Sequence, residues 1–245
     1  MAPASVRKPA NKNPSVQSDV DMTSVSDNLT RIRSTLPAEG VTLVAVSKFH
    51  PAEAILEAYG AGQRVFGESR VQELLEKIPQ LPDDISWHFI GHLQTNKVRQ
   101  LIGHTAMIES VDSERLLRLI DRESARAGVV TRVLMQLHVA QEETKFGFTP
   151  DELLDFFRSR GFESLTNTHI CGVMGMASNT DDEARVRADF AEIARVFHAI
   201  ADDEELGLRG FDTISMGMSH DYLQAIDCGS TTVRIGTDIF GNRQY

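Results

Sequence analysis

A single lysine, Lys48, follows a run of apolar residues and is the first candidate for chemistry. Residues 41–47 (VTLVAVS) are largely β-branched and apolar, and Pro51 interrupts the pattern shortly after the lysine. Apolar runs of this kind are typical of buried parallel strands. Because Lys48 shares strand parity with Val44 and Val46, we expect its stem to pack and its amine to reach a crevice. Partial burial lowers the pKa of an amine, which favours imine formation with a carbonyl compound. The alternative is a lysine that only extends from a strand end to water.

Two glycine-containing segments near the C-terminus, SMGMS and RIGT, predict a phosphate site. Gly217 and Gly236 have no Cβ, so that their backbone can approach an anion closely. Ser219 and Thr237 offer hydroxyl donors, and Ser219 stands where the next helix is predicted to begin, with its N–H groups and positive dipole end. The alternative is that Ser219 is only a helix N-cap and the glycines are only turns.

Arg234 lies within a predicted strand, two residues before Gly236. An arginine directed into a barrel needs a partner, because a buried unpaired charge is very costly. Either it forms a structural ion pair with Glu68 or Asp112, or it donates to a ligand. A lysine that can form an imine, a phosphate site and a cation beside it together predict pyridoxal 5′-phosphate (PLP) as the cofactor.

Length, composition and charge exclude several classes of protein. The chain has 245 residues, 41% of them hydrophobic and 24% charged, and a formal charge of −10 that argues against nucleic-acid binding. It contains no apolar run long enough to span a bilayer. Cys171 and Cys228 make neither a disulfide framework nor a zinc site, and we predict no metal and a reducing, cytoplasmic compartment. Residues 1–17 are rich in Pro, Ala, Asn and Ser and predict a disordered tail without a signal peptide.

Strand and helix patterns alternate along the rest of the chain. The predicted strands are 41–47, 64–69, 86–92, 106–113, 131–140, 169–178, 213–219 and 231–237. Eight such units predict a single (β/α)8 TIM barrel over residues 18–245, with functional groups at the carboxyl ends of the strands. A doubly wound open sheet is the alternative. A predicted N-terminal helix, about 18–36, would fill the gap left by the missing helix after the eighth strand.

Seven ordered segments resemble the YggS/PROSC family, the pyridoxal phosphate homeostasis proteins. They are AVSKFHP, FGESRVQE, WHFIGHLQTNK, SVDS, ETKFGF, SMGMSHDYLQAI and GSTTVRIGTDIFG, spread over about residues 41–241. The resemblance implies a lone barrel similar to the N-terminal domain of alanine racemase, the fold-type III of PLP proteins, without a second β-domain.

The resemblance also implies roles for individual residues. Lys48 would hold the cofactor as an internal aldimine; Ser219, Gly236 and Thr237 would bind its phosphate; Arg234 would approach the pyridine nitrogen; His92 and Ser69 would lie near the ring. The family usually has Asn where this chain has Ser69, and a hydroxyl is shorter and has fewer donors. Residues 176–178 also differ from the proline-containing versions of the family.

The residue types favour a carrier over an enzyme. An arginine at the pyridine nitrogen keeps it unprotonated and weakens the ring as an electron sink. Racemases of this barrel class also use arginine there, but they need a tyrosine base from a further domain. None of the tyrosines here lies at a predicted strand end of the active mouth; they are Tyr59, Tyr222 and Tyr245. We therefore predict a PLP homeostasis protein that captures the cofactor reversibly at Lys48 and exchanges it with apo-enzymes or free amino acids.

Two other functions stay open. One is a weak PLP-dependent amino-acid racemase that uses Lys48 and His92 as bases. The other is a barrel lyase or isomerase that acts on a sugar phosphate without a cofactor. Among the other lysines, Lys97 is predicted to be a solvated loop residue, and Lys145 is a candidate second acceptor during cofactor handover. Without a second domain, a monomer is expected.

Overall fold

In the computed structural model, which describes residues 24–140 and 146–242, eight parallel strands close into a barrel in chain order. The strands are Thr42–Val46 (β1), Val65–Glu68 (β2), Ser86–Phe89 (β3), Met107–Val111 (β4), Thr131–Gln136 (β5), Thr168–Met174 (β6), Thr213–Ser215 (β7) and Thr232–Ile235 (β8). The first and last strands pair with each other, with Thr42 beside Thr232 and Val44 beside Arg234. The predicted (β/α)8 barrel is confirmed, and the open-sheet alternative is wrong.

Helices follow the strands around the outside of the barrel. Within the described ranges they are Val25–Thr35 (α1), Ala52–Gly60 (α2), Val71–Lys77 (α3), Val98–Leu101 (α4), Glu114–Ala127 (α5), Pro150–Arg158 (α6), Glu183–Ala201 (α7), Tyr222–Asp227 (α8) and Thr237–Phe240 (α9). Thr149 and Glu152 form a reciprocal capping box at the start of α6. None of these helices is long and apolar enough to cross a membrane.

Several strands end earlier than their apolar patterns predicted. β5 stops at Gln136 rather than at 140, and β6 stops at Met174 rather than at 178. After β5, the N–H of Phe148 donates to the Gln136 carbonyl at 2.8 Å, so that the chain folds back over the strand end. Apolar residues therefore continue into loops that pack on the barrel, which sequence periodicity does not distinguish from strands.

Helix α1 packs on the barrel beside the short helix α9, which follows β8. Its Leu29 and Ile32 side chains are fully buried, and Asn28 Nδ2 donates to the Ile239 carbonyl in α9 at 3.2 Å. Ser24 caps the helix by accepting from the Asp27 N–H. The predicted N-terminal helix is confirmed from residue 25 onward. Its predicted start at 18 and the predicted tail of residues 1–17 lie outside the described residues.

Candidate functional site

The predicted site residues meet at one end of the barrel, which we call the mouth. In a closed parallel barrel the carboxyl ends of all strands lie at this end. Ser69 directly follows β2 and Gly236 directly follows β8, whereas Lys48, His92 and Ser219 lie a few residues beyond their strands. Arg234 lies deeper, within β8. The chain order therefore brings the predicted residues to one region of the molecule.

Lys48 lies in a turn, two residues beyond the end of β1, and its side chain is half-buried. Val44 and Val46 belong to the barrel interior, because Val44 is in register with the buried Arg234. The predicted parity holds along the strand itself, but the lysine is placed by a turn and not by the strand. Phe49, the next residue, has a φ of 67°.

The two glycine segments form adjoining turns after β7 and β8. Gly217 has a φ of 94°, and a Cβ there would lie 2.6 Å from the Ala225 Cβ. A Cβ on Gly236 would lie 3.1 Å from the Val46 carbonyl oxygen. The N–H of Arg234 in β8 donates to the Gly217 carbonyl at 3.0 Å, which joins the turn after β7 to β8. Close packing therefore disfavours a side chain at both positions, strongly at Gly217 and mildly at Gly236.

The expected position of Ser219 at a helix start is wrong. Helix α8 begins at Tyr222 with Asp221 as its N-cap. Asp221 closes a tight turn by accepting from the Met218 N–H at 2.6 Å, and this turn delays the helix. Neither the hydroxyl nor the N–H of Ser219 and of Thr237 bonds to another group within the described ranges. These groups are therefore available to bind an anion.

The expected ion-pair partners of Arg234 are also wrong. Its guanidinium donates to Ser215 Oγ at 2.6 Å and to the Gly175 carbonyl at 3.0 Å, and it lies 3.8 Å from Glu109 Oε2. Glu68 is engaged with Lys77 instead. Burial lowers the pKa of Arg234, and the nearby charge of Glu109 opposes that change. An arginine remains a cation under these conditions, and here its charge is balanced.

Glu109 anchors this arrangement from the opposite side of the barrel. Ser215 Oγ in β7 donates to Glu109 Oε2 in β4 at 2.5 Å, so the bond must cross the interior. His88 Nδ1 lies 2.6 Å from Glu109 Oε1. Burial would raise the pKa of Glu109, but the hydrogen bond and charge of His88, the charge of Arg234 and the Ser215 hydroxyl together lower it. Glu109 is therefore a buried carboxylate in the barrel interior that orients Ser215 and Arg234.

His92 is hydrogen-bonded to Asp112, which the sequence suggested as a partner of Arg234. Its Nδ1 lies 2.9 Å from Asp112 Oδ2, and its ring stacks on Phe146 with centroids 3.8 Å apart. The His92 side chain is 41% exposed. The pair lies at the rim of the mouth, beside a cavity of about 600 Å³ lined in part by Ser113 and Gly147. Asp112 therefore orients a histidine and does not neutralise Arg234.

Ser69 is half-buried next to a close backbone contact. A Cβ on Gly91 would overlap the Ser69 carbonyl oxygen, so the loops after β2 and β3 touch at this point. The Ser69 hydroxyl has no hydrogen-bond partner among the residues that the structure describes. Its predicted contact with a cofactor ring remains a prediction.

Lys97 and Lys145 are the other candidate lysines from the sequence. Lys97 ends a short 3₁₀ helix and is half-buried, and its ammonium has no hydrogen bond in the described part of the chain, as expected of a solvated lysine. Lys145 lies outside the described residues. Residues 176–178 line a cavity of about 450 Å³ together with Met218 and His220, next to the predicted phosphate site. The described ranges contain no cluster of residues that could hold a metal.

Sequence reasoning missed two sets of residues that shape the site. Glu109 and Ser215 are polar residues within apolar strands, and this pattern could have identified them as buried polar residues of the barrel. Glu73 and Lys77 have the i,i+4 spacing of a helical ion pair, and they contact the turn that carries Lys48.

Comparison with protein families places the chain among known proteins. The family model for the alanine racemase N-terminal domain matches residues 20–244. A pyridoxal phosphate homeostasis protein of Schizosaccharomyces pombe is 36% identical over 216 residues, which cover 87% of this chain and 89% of the relative. The human protein of the same description is 39% identical over 227 residues, covering 86% of this chain and 79% of the relative.

Solved structures agree with this relationship. PipY of Synechococcus elongatus without PLP superposes with a TM-score of 0.83 at 36% identity, over 89% of this chain and 100% of PipY. The structure of PipY with PLP bound gives 0.80 over the same shares. Alanine racemase from E. faecalis has a TM-score of 0.67 at 19% identity over 89% of this chain and 57% of the racemase, a likeness of fold alone. The resemblance predicted from the seven segments is confirmed, and the chain belongs to the alanine racemase N-terminal domain family and, within it, to the pyridoxal phosphate homeostasis proteins.

Proposed function

We propose that this chain binds PLP, holds it covalently at Lys48 and acts as an intracellular carrier that buffers the cofactor. The observation that carries the proposal is the unused set of donors at Ser219 and Thr237, at the same mouth as the half-buried Lys48. The relatives described as pyridoxal phosphate homeostasis proteins and the PLP complex of PipY support it.

The residues of the mouth fit this cofactor. The hydroxyl and N–H groups of Ser219 and Thr237, with the Cβ-free backbone of Gly236, would bind the phosphate. When bound, PLP supplies an aldehyde that condenses with a primary amine. The Lys48 nitrogen would bond to the aldehyde carbon with release of one water molecule, and hydrolysis would reverse this step. Arg234 would face the pyridine nitrogen, while His92 and Ser69 would lie near the ring.

The described tyrosines support a carrier over a racemase. Tyr59 Oη donates to Asp84, which precedes β3 and therefore lies at the end of the barrel opposite the mouth. Tyr222 Oη bonds to Thr35 in the outer layer of helices. No tyrosine of the described residues is positioned as a second base at the mouth. Imine formation and its hydrolysis need no second base of this kind, so the proposed carrier function does not depend on one.

Absorbance spectroscopy combined with reduction tests the proposal. Purified protein with added PLP is expected to show a visible band that borohydride abolishes, with the reduced adduct mapped to Lys48 by peptide mass analysis. Lys48→Ala should lose the band, whereas Lys97→Ala, a matched half-buried lysine near the mouth, should keep it. Absence of the band in the wild type after addition of PLP would overturn the proposal and favour a sugar-phosphate enzyme.

The His92–Asp112 pair favours weak racemase activity as a second candidate function. An aspartate that orients a histidine is a common arrangement for a general base. Chiral chromatography of alanine after incubation with the PLP-loaded protein distinguishes the two functions. A carrier leaves L-alanine unchanged, whereas a racemase produces D-alanine at a rate that His92→Asn abolishes.

Partners and assembly are part of the same proposal. Apo-enzymes that need PLP and free amino acids are the proposed acceptors, and the reducing cytoplasm is the proposed location, in keeping with the free thiols of Cys171 and Cys228. We further propose a monomer. Sedimentation velocity at micromolar concentration should give a single species near the mass of one 27.2 kDa chain.

A further inference from the structure

Two side chains of α3 hold the two peptide groups that flank Lys48. The Ser47 carbonyl belongs to the peptide bond before the lysine, and the Phe49 N–H belongs to the bond after it. Lys77 Nζ donates to the Ser47 oxygen at 3.0 Å, and Glu73 Oε1 accepts from the Phe49 nitrogen at 2.5 Å. The backbone on both sides of Lys48 is therefore fixed by one helix.

The two holding side chains are themselves fixed by buried ion pairs. Lys77 Nζ lies 2.7 Å from Glu73 Oε1 and 2.7 Å from Glu68 Oε1, and Ser47 Oγ donates to the same Glu68 oxygen at 2.7 Å. Glu68 is fully buried, and Lys77 is 7% exposed. Ion pairs in such surroundings are screened little by water. We call Glu68, Glu73 and Lys77 the bracket.

The turn that the bracket holds is strained. Phe49 has a φ of 67°, and Arg160 is the other non-glycine residue with positive φ in the described ranges. This left-handed conformation is unfavourable for a residue with a Cβ and persists where the surroundings enforce it. The Arg70 guanidinium also covers the Phe49 ring at 4.6 Å. The hydrogen bond to Glu73 therefore also stabilises the left-handed conformation of Phe49.

We propose that Glu73 and Lys77 are positioning residues that aim the Lys48 amine at the PLP aldehyde. The inference rests on the proposed covalent capture at Lys48 and explains its geometry. A lysine on a loose loop loses backbone and side-chain freedom each time it reacts, whereas a fixed Cα leaves only the side chain to be ordered. The bracket contacts the backbone of the turn and not the cofactor, so it should affect capture without affecting phosphate binding.

The test compares Glu73→Ala with Glu73→Gln, which keeps an oxygen acceptor for the Phe49 N–H. Glu76→Ala, an exposed position on the same helix, is the matched control. One readout is the rate of borohydride-trapped attachment of PLP to Lys48, measured by mass spectrometry. The other is the affinity for pyridoxine 5′-phosphate, which has an alcohol in place of the aldehyde and so reports binding without Lys48.

We expect Glu73→Ala to slow attachment by about tenfold or more and to change the affinity for pyridoxine 5′-phosphate by less than about threefold. Glu73→Gln should stay within about threefold of the wild-type attachment rate, and Glu76→Ala should match the wild type. If Glu73→Ala does not fold, Glu73→Asp, which withdraws the carboxylate from Phe49, serves in the same comparison.

Two results would overturn the inference while leaving the proposed function intact. One is attachment at the wild-type rate in Glu73→Ala. The other is a parallel loss of attachment and of pyridoxine 5′-phosphate affinity, which indicates general disruption of the mouth. Failure of the wild type to attach PLP at Lys48 is a different outcome, because it overturns the proposed function and the inference together.

Discussion

Glu109 and Glu68 are both fully buried, yet their surroundings move their carboxyl pKa values in opposite directions. At Glu109, burial is outweighed by His88, Arg234 and Ser215, and the pKa falls. At Glu68, burial outweighs the charge and hydrogen bond of Lys77, and the pKa rises. The Oε2 atom of Glu68 also has no hydrogen-bond partner among the described residues, in keeping with the cost of burying its charged form.

Glu109→Gln should destabilise the protein at neutral pH by roughly 3 kcal/mol, because it leaves the buried Arg234 without its compensating charge. The lowered pKa in the folded state means that the carboxylate stabilises the fold above its usual value of 4.5. That contribution is lost as the pH falls through the folded-state pKa. Urea unfolding at a series of pH values should therefore show the advantage of the wild type over the variant shrinking in acid. An advantage that does not depend on pH would contradict this prediction.

Glu68→Gln should show the opposite pH dependence. A raised pKa means that the folded protein retains a proton that the unfolded chain releases above the usual value of 4.5. The wild type is then most stable relative to the variant in acid, and that advantage is lost as the pH rises through the folded-state pKa. The same urea series measures it, with Glu109→Gln as an internal control of opposite slope. Parallel slopes for the two variants would show that the folded-state pKa of Glu68 is lowered like that of Glu109, and would contradict this prediction.

For individual side chains, the sequence indicated which residue types could act but not which partners they contact. Lys48, Gly217 and Gly236 were identifiable because they lie near the predicted carboxyl ends of strands, which meet at the mouth of a barrel. The partner of Arg234 was not, because Glu109 reaches it across the barrel from β4, and the register of β4 against β5 shifts between Ile108 and Val111. A parity count along one strand cannot predict which side chains meet inside a closed barrel.

The turns after β7 and β8 differ in how much they tolerate a side chain. Gly217→Ala meets both a φ of 94° and a Cβ contact of 2.6 Å with Ala225, so we expect a loss of roughly 3 kcal/mol in the free energy of unfolding. Gly236→Ala meets the Val46 carbonyl at 3.1 Å without positive φ, and about 1 kcal/mol is expected. Thermal and urea unfolding of the two variants measures the difference.

Gly103→Ala separates conformational strain from steric contact in this comparison. Gly103 has a φ of 84°, and no atom lies within 4 Å of the point that a Cβ would occupy, so its variant shows the cost of the backbone conformation alone. That cost should be about 1 kcal/mol. Gly217→Ala should exceed it clearly. Equal losses at Gly103 and Gly217 would show that Ala225 and Tyr222 yield to the new methyl group without penalty.

The strands and long helices were predictable as elements, whereas short helices were not. α5 and α7 repeat their apolar residues over several turns, so that periodicity locates them. α9 has four residues, too few to show a period, and was missed. The start of α8 was misplaced at Ser219 because the Asp221 turn that precedes the helix depends on a side-chain bond to Met218 and not on an apolar pattern.

For the whole molecule, α1 is the element that closes the ring of helices. It packs its fully buried Leu29 and Ile32 against the barrel and is bonded at both flanks: Arg33 Nη1 donates to the Ala61 carbonyl beyond α2 at 2.7 Å, and Asn28 donates to Ile239 in α9. The mouth turn after β8 leads directly into α9. Loss of α1 packing should therefore weaken the barrel as one cooperative unit, in keeping with the proposed single domain of residues 18–245.

Leu29→Ala tests this cooperativity. It creates a cavity under α1 and should cost about 3 kcal/mol, which for a domain of this size lowers the melting temperature by roughly 6–12 °C. Leu56→Ala, whose leucine is 43% exposed on α2, is the matched control and should change it little. In the PLP-loaded protein, loss of far-UV circular dichroism and loss of the visible band should shift together in Leu29→Ala. Leu29 lies in the helix layer and not at the mouth. If the visible band of Leu29→Ala were lost at the wild-type temperature while its helical signal was lost at a lower one, α1 would unfold on its own.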